Sequence, residues 1–122
     1  MRLPELIGSL YQSFITEDWV SAENLFDRYF RIIDKNYIDK SYTNDYSVSD
    51  KYESLFLYNY SLSCLHLNKY EKAEKLAIRG LDKINYDFQY ENKIYGYDLS
   101  LRLETLVEEI RNRRKLDETR GN

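Results

Sequence analysis

The chain has little of the chemistry on which small enzymes and metal proteins depend. Its 122 residues include one cysteine, Cys64, and one histidine, His66. A single cysteine excludes an intramolecular disulfide and a cysteine-based zinc site. On a helix, side chains two positions apart point in different directions, so these two do not form a nucleophile–base pair. The sequence therefore predicts a protein that is not an enzyme and that binds no metal and no cofactor.

Membrane signals and strong charge are also absent. No apolar run approaches the ~20 residues that a membrane-spanning helix needs. The first residues lack the long apolar core and the small-residue cleavage site of a signal peptide. The formal net charge of −3 is mild and favours neither nucleic acid nor an anionic membrane. We therefore expect a cytoplasmic protein with no membrane partner.

Glycine and proline are scarce, whereas tyrosine is abundant. Four glycines and one proline leave few helix breakers, which favours long helices with short connections. The 13 tyrosines need another explanation, because tyrosine is only a middling helix former. They are consistent with amphipathic packing, with AT-rich coding, or with a binding surface, where tyrosine is enriched.

Apolar residues recur at three- and four-residue spacing through most of the chain, which predicts amphipathic helices. Thr16 and Asp18 are candidate N-caps of the second helix, and Asp50 and Glu53 have the spacing of a capping box before the third. The length predicts a single domain over residues 1–122. The predicted helices span about residues 3–15, 17–35, 50–67, 70–84 and 92–116.

Two segments interrupt the helical pattern. Residues 36–48 are polar and tyrosine-rich, and long ordered loops in small domains are often functional. From Asp39 to Asp50, two positions beyond this segment, the chain has the ligand offsets of a calcium-binding loop. Asn44 replaces the expected glycine there, so a polar linker is favoured. The second connector, residues 85–91, carries three further aromatic side chains.

Two short segments share one turn pattern. In each, a tight turn is followed by an aromatic residue and, three positions later, by an alanine. Trp19 and Ala22 form the first copy, and Tyr70 and Ala73 form the second. A turn that closes two helical hairpins in the same way indicates a helical-repeat scaffold.

Residues 57–85 resemble one tetratricopeptide repeat, and residues 3–35 match it more loosely. Trp19 and Tyr70 are 51 positions apart, whereas the regular repeat has ~34 residues. We therefore predict an all-α fold of about five helices in tetratricopeptide-like antiparallel hairpins, with a generic five-helix bundle as the alternative. The residues in register with the repeat are Leu57, Ser61, Tyr70, Ala73, Ala77 and Gly80, and in the first hairpin Trp19, Ala22 and Phe26.

The resemblance implies a protein that binds other proteins. Some members of the family hold a peptide's terminal carboxylate with Lys, Arg and Asn on the inner face of their first helices. The matching places here do not carry that clamp, which favours an aromatic or apolar groove. Those places are occupied by Leu55, Tyr58, Leu62 and His66.

Three functions follow as expectations. The first is a stand-alone immunity or inhibitor protein that blocks a toxin, enzyme or effector by direct binding. The alternative is a peptide-binding adaptor or chaperone-like protein, and the least favoured is nucleic-acid binding through the basic segment 111–115. Because arrays usually need at least ~3 repeats, a homodimer is a further expected partner. The predicted partner-binding residues are Tyr42, Asp45, Tyr46, Tyr58, His66, Tyr86 and Tyr90.

Overall fold

A computed structural model describes residues 3–38, 53–87 and 93–120, with side chains described for residues 5–32, 53–84 and 98–120. Within these ranges the structure consists of five helices and no strand, which confirms the all-α prediction. The helices are α1 (Leu3–Ile15), α2 (Trp19–Ile38), α3 (Glu53–His66), α4 (Tyr70–Asp87) and α5 (Lys93–Arg120).

The helices group into two compact units. Met1–Asp50 contains the α1–α2 hairpin, and Lys51–Asn122 contains α3, α4 and α5. The single domain over residues 1–122 stays a prediction.

The α1–α2 turn is a Schellman motif. Glu17 has a φ of 57°, in the left-handed region. The Asp18 N–H donates to the Ser13 carbonyl at 2.9 Å, and the Glu17 N–H donates to the Phe14 carbonyl at 3.2 Å. Asp18 then caps α2, because its Oδ1 accepts the Ser21 N–H at 3.2 Å. This confirms Asp18 as an N-cap, so the helix begins after it rather than at Glu17.

The α3–α4 turn repeats this backbone pattern 51 positions later. Asn68 has a φ of 60°. The Lys69 N–H donates to the Cys64 carbonyl at 2.9 Å, and the Asn68 N–H donates to the Leu65 carbonyl at 3.0 Å. The two hairpins therefore close with the same Schellman geometry, although their turn sequences differ.

The first unit buries apolar side chains from one face of each helix. The rings of Phe14 and Trp19 meet edge to face across the turn, with centroids 5.2 Å apart. Tyr11 does not share this face and is 56% exposed, because it lies about a quarter-turn beyond Leu10 on the helix. The buried apolar residues are Leu6, Leu10, Ala22, Phe26, Tyr29 and Phe30.

In the second unit, α3 and α4 pack antiparallel. Near the turn, the Lys72 ammonium lies 5.1 Å from the centre of the Tyr60 ring. Far from the turn, Glu53 at the start of α3 pairs with Arg79 and Lys83 towards the end of α4. Residue numbers thus rise on one helix as they fall on the other, as an antiparallel hairpin requires.

Small residues let these helices approach closely. Ala73 and Ala77 of α4 are fully buried, and the Ser61 hydroxyl of α3 donates to the Ala73 carbonyl at 2.6 Å. A hydroxyl hydrogen bond to a helix carbonyl across the interface requires the two backbones to be near one another. Leu57, another buried residue of α3, lies against Gly80 on the side where any other residue would carry its β-carbon.

Helix α5 packs against α4 through an apolar stripe and runs antiparallel to it. Gly80 of α4 lies against Leu103, whereas Glu74, earlier on α4, meets Arg111, later on α5. The stripe has the predicted helical spacing. Its buried members are Leu99, Leu103, Leu106, Val107 and Ile110.

Several predicted boundaries need correction. α2 continues through residues 36–38 and α4 through residues 85–87, which were assigned to loops. Neither stretch contains glycine or proline, so nothing in it breaks a helix that is already formed. α5 continues to Arg120, where Gly121 follows, rather than ending near residue 116. The remaining loop predictions, including the Asp50 cap, lie outside the described residues.

Candidate protein-binding groove

An open groove runs between α3 and α5. Its larger pocket has a volume of about 240 Å³ and its smaller one about 80 Å³. Tyr58 and Arg102 line both pockets, so we treat the two as one surface, the α3–α5 groove. The other lining residues are Leu62, Leu101, Thr105, Leu106 and Glu109 in the larger pocket, and Leu55, Asp98 and Leu99 in the smaller.

The groove exists because α3 and α5 run parallel on the same side of α4. Both are antiparallel to α4, so their residue numbers rise together along the groove. Leu55 of α3 lies beside Leu99 of α5 in the smaller pocket, and Leu62 lies beside Leu106 in the larger one. The short α3–α4 turn and the small residues of α4 thereby position both walls.

The floor of the groove is apolar and its rim is charged. Leu99 and Leu106 are buried, whereas Leu101 is 46% exposed beside them. On the rim, Arg102 pairs with Asp98 at 3.0 Å within α5. Such a surface can bury apolar side chains of a ligand, while the rim charges restrict its orientation.

Glu109 and Arg113 form a second ion pair, at 2.8 Å, at the far end of the same rim. Each rim pair therefore joins residues four positions apart on one exposed helix face. Exposed pairs of this kind contribute little to stability, on the order of 0.3–0.5 kcal/mol, and can exchange partners at small cost.

Of the predicted binding residues, the structure places Tyr58 in this groove. His66 is exposed at the last position of α3 and is not among the residues lining either pocket. Tyr86 belongs to α4, but its side chain is outside the described part of the chain. The remaining members of the set, Tyr42, Asp45, Tyr46 and Tyr90, also lie outside the described residues.

The α5 wall of the groove was not predicted from the sequence. Leu101, Arg102 and Thr105 line it. One signal was present: Leu101 lies off the buried stripe formed by Leu99 and Leu103, so its apolar side chain has no place in that interface. A leucine outside an otherwise regular stripe indicates a second apolar contact.

The three arginines in the basic segment of α5 pair with acidic side chains of the same chain. Glu74 of α4 accepts from Arg111 Nε at 2.6 Å and from Arg114 Nη1 at 3.2 Å. Arg113 is held by Glu109. The hydroxyl of Tyr70, one turn before Glu74, donates to Asp117, and this hydrogen bond raises the pKa of Tyr70. These contacts fasten the end of α5 to the start of α4.

The Glu74 cluster predicts a pH dependence of stability. Hydrogen bonds from Arg111 and then Arg114 hold the pKa of Glu74 below its usual value of 4.5. A carboxylate with a lowered folded-state pKa stabilises the fold above its unfolded-state pKa and loses that contribution as the pH falls. We expect Glu74→Gln to lower the free energy of unfolding by about 1–2 kcal/mol at pH 7 and to have little effect near pH 3.

The control is Glu71→Gln on the same helix. Glu71 is 81% exposed and pairs with Lys75 at 3.3 Å, so its removal should change little at either pH. Urea unfolding of the three proteins at pH 7, 5 and 3 measures the difference. A Glu74→Gln deficit of the same size at pH 3 would contradict the assignment.

A buried carboxylate, Glu53, anchors the start of α3. Glu53 is only 3% exposed, and its two carboxylate oxygens meet Arg79 at 2.9 Å and Lys83 at 3.0 Å. Both oxygens are engaged by cations of α4, so this carboxylate fixes the hairpin and is not presented to a ligand.

Other kinds of site are not found in the part of the chain that the structure describes. It contains no group of three or more His, Cys, Asp or Glu side chains placed to hold a metal ion. None of its helices is both long enough and apolar enough to cross a membrane. Cys64 is fully buried, whereas His66 is exposed. No protein-family model, curated protein or solved structure matches this chain.

Proposed function

We propose that this chain is a non-enzymatic protein-binding module whose partner docks in the α3–α5 groove. The observation that carries the proposal is the groove itself, with an apolar floor from two parallel helices, the exposed Leu101 and a charged rim. A groove with an apolar floor can bury side chains of a protein segment. Its floor offers no nucleophile or base for catalysis.

The arrangement also supports the proposed tetratricopeptide-like architecture. In that family, first helices of successive hairpins line the inner surface, and the parallel arrangement of α3 and α5 beside α4 supports assigning them to those two places. The matched Schellman turns at Glu17 and Asn68 add a second common feature of the hairpins. On this basis α5 takes the place of a following repeat's first helix or of a capping helix.

The size of the groove bears on the kind of partner. A volume of about 240 Å³ with a smaller neighbour accommodates the side chains of one short segment. This supports the peptide-binding adaptor among the proposed roles. An inhibitor of a toxin or enzyme would use the same surface and would need the folded partner. The two roles differ in whether a peptide from the partner binds measurably by itself.

Nucleic-acid binding has less support. Arg111, Arg113 and Arg114 already donate to carboxylates of the chain, so phosphate groups would have to displace Glu74 and Glu109. Such an exchange reduces the free energy that counterion release supplies.

A pair of matched leucine variants tests the proposal. Leu101 and Leu116 belong to the same helix and are 46% and 54% exposed, but only Leu101 lines the groove. We expect Leu101→Glu to weaken the complex with a partner isolated from the native host by at least ~tenfold, because a charge would enter the apolar contact. Leu116→Glu should leave it intact.

Circular dichroism establishes that both variants are folded, and titration calorimetry with the isolated partner measures the affinities. Equal affinities of the two variants and the unchanged chain would contradict docking in the groove.

A further inference from the structure

The face of α5 that borders the groove carries charges of alternating sign. Going along the helix, Asp98, Arg102, Glu109 and Arg113 occupy it, and each acidic residue is paired within the helix to the arginine four positions later. Arg102 of the first ion pair and Glu109 of the second are seven positions apart, which is about 10.5 Å, or two helical turns.

This pattern is complementary to itself when read in the opposite direction. A second copy of α5 can lie antiparallel across the first, with a two-fold axis between Thr105 and Leu106. Arg102 of each copy then faces Glu109 of the other. Asp98 likewise faces Arg113, because each pair lies symmetrically about that point. Two-fold symmetry makes every such contact occur twice.

The same arrangement gives the exposed leucine an apolar environment. In the antiparallel pairing, Leu101 of the second copy lies level with residue 110, next to Glu109 at the edge of the larger pocket. That pocket is lined by Leu62 and Leu106 and has a volume of about 240 Å³. A leucine side chain that is 46% exposed in one copy would thus be covered by the groove of the other.

We propose that a second copy of this chain covers the α3–α5 groove when no other partner is bound, as a two-fold symmetric dimer through α5. The proposal rests on the groove being the binding surface and adds what occupies it. The net charge of −3 does not strongly oppose self-association. A single helix face is smaller than a standard interface of ~1,200–2,000 Å², so the dimer is weak and reversible, and a partner can displace it.

Two charge reversals test the pairing. Arg102→Glu alone places glutamates opposite each other at both symmetric contacts, and Glu109→Arg alone places arginines opposite each other. We expect each variant by itself to raise the dimer dissociation constant at least ~tenfold. In an equimolar mixture of the two, both contacts become complementary, so a heterodimer should form with an affinity close to that of the unchanged chain.

Sedimentation equilibrium over ~10–500 µM measures the association, since weak interfaces dissociate in this range. Glu104→Arg is the matched control, because Glu104 is an exposed acidic residue of α5 that lines neither pocket. It should dimerise like the unchanged chain and should not associate more tightly with Arg102→Glu. Circular dichroism verifies that each variant is folded.

A monomer at all concentrations, or a mixture no tighter than its components, would overturn the dimer. Neither outcome touches the proposed function, which depends on the different affinities of Leu101→Glu and Leu116→Glu for a partner from the host. Suppose that Leu101→Glu loses partner binding but the mixture of Arg102→Glu and Glu109→Arg does not dimerise. The groove would then remain the binding site for a partner, and a second copy would not occupy it.

Discussion

Replacing Arg79 and Lys83 together by methionine is expected to lower the free energy of unfolding by about 3–5 kcal/mol. The two cations hold a carboxylate that is 3% exposed, so their loss leaves the Glu53 charge buried without these two partners. Methionine keeps much of the aliphatic packing of both side chains. The expected loss therefore arises from the stranded charge and not from a cavity.

Removing the charge of Glu53 while keeping both cations should lower the free energy of unfolding by less. Glu53→Gln leaves two cations that are 39% and 24% exposed, and these can turn towards water. We expect a loss of about 1–2 kcal/mol. Combining all three substitutions should be less destabilising than the methionine pair alone, because no buried charge remains. Chemical unfolding of the unchanged chain, the methionine pair, Glu53→Gln and the triple variant completes the cycle. If the losses were additive, the methionine pair would not leave an uncompensated buried charge at Glu53.

Gly80→Val is expected to cost about 3 kcal/mol. A β-carbon at Gly80 would lie 3.2 Å and 3.3 Å from the two terminal methyl groups of Leu103 and 3.5 Å from Leu57 Cβ. Valine adds two further methyl groups at a point where α3, α4 and α5 meet, so the helices must separate. Separation there would also disturb the walls of the α3–α5 groove.

Gly8 provides the matched position, since nothing lies within 4 Å of a β-carbon built there. Gly8→Val should be neutral or slightly stabilising, because valine is the better helix former. Thermal unfolding compares the two variants. Leu103→Val in the Gly80→Val background should recover part of the loss. Equal melting temperatures of the two valine variants would mean that Gly80 is not a point of close approach.

The sequence predicted best those elements whose core face has regular spacing. The start and end of α1 were predicted correctly, and so was the start of α4 at Tyr70. The leucines of α5 fell on one face as expected, since periodicity alone determines which side chains can share a stripe. Asp18 was identified as a cap because its side chain and position define that role locally.

Features that depend on another helix could not be predicted in this way. Glu53 was assigned to a capping box, yet its carboxylate pairs with two cations 26 and 30 residues later. Ser54, Ser61 and Ser63 are buried in α3, although serine is usually exposed. Of these, Ser61 lies against α4, where its hydroxyl donates to the Ala73 carbonyl.

One wall of the groove could be predicted from the sequence and the other could not. The α3 wall followed from positions matched to a known repeat, so Leu55, Tyr58 and Leu62 were assigned to a binding face. The α5 wall needs the relative direction of two helices that are not adjacent in sequence. Helix ends were also uncertain, because Asn36 and Asn85 are weak breakers that tertiary contacts and helix propagation override.

The two Schellman turns have a consequence for how fast the chain can form its contacts. Each turn joins its helices with three residues, so the first interhelical contacts close loops of short length and small entropic cost. The Ser61–Ala73 hydrogen bond spans only 12 positions. Folds dominated by such local contacts reach their native topology within microseconds to milliseconds. Each hairpin can therefore assemble from a short piece of chain before the polypeptide beyond it is in place.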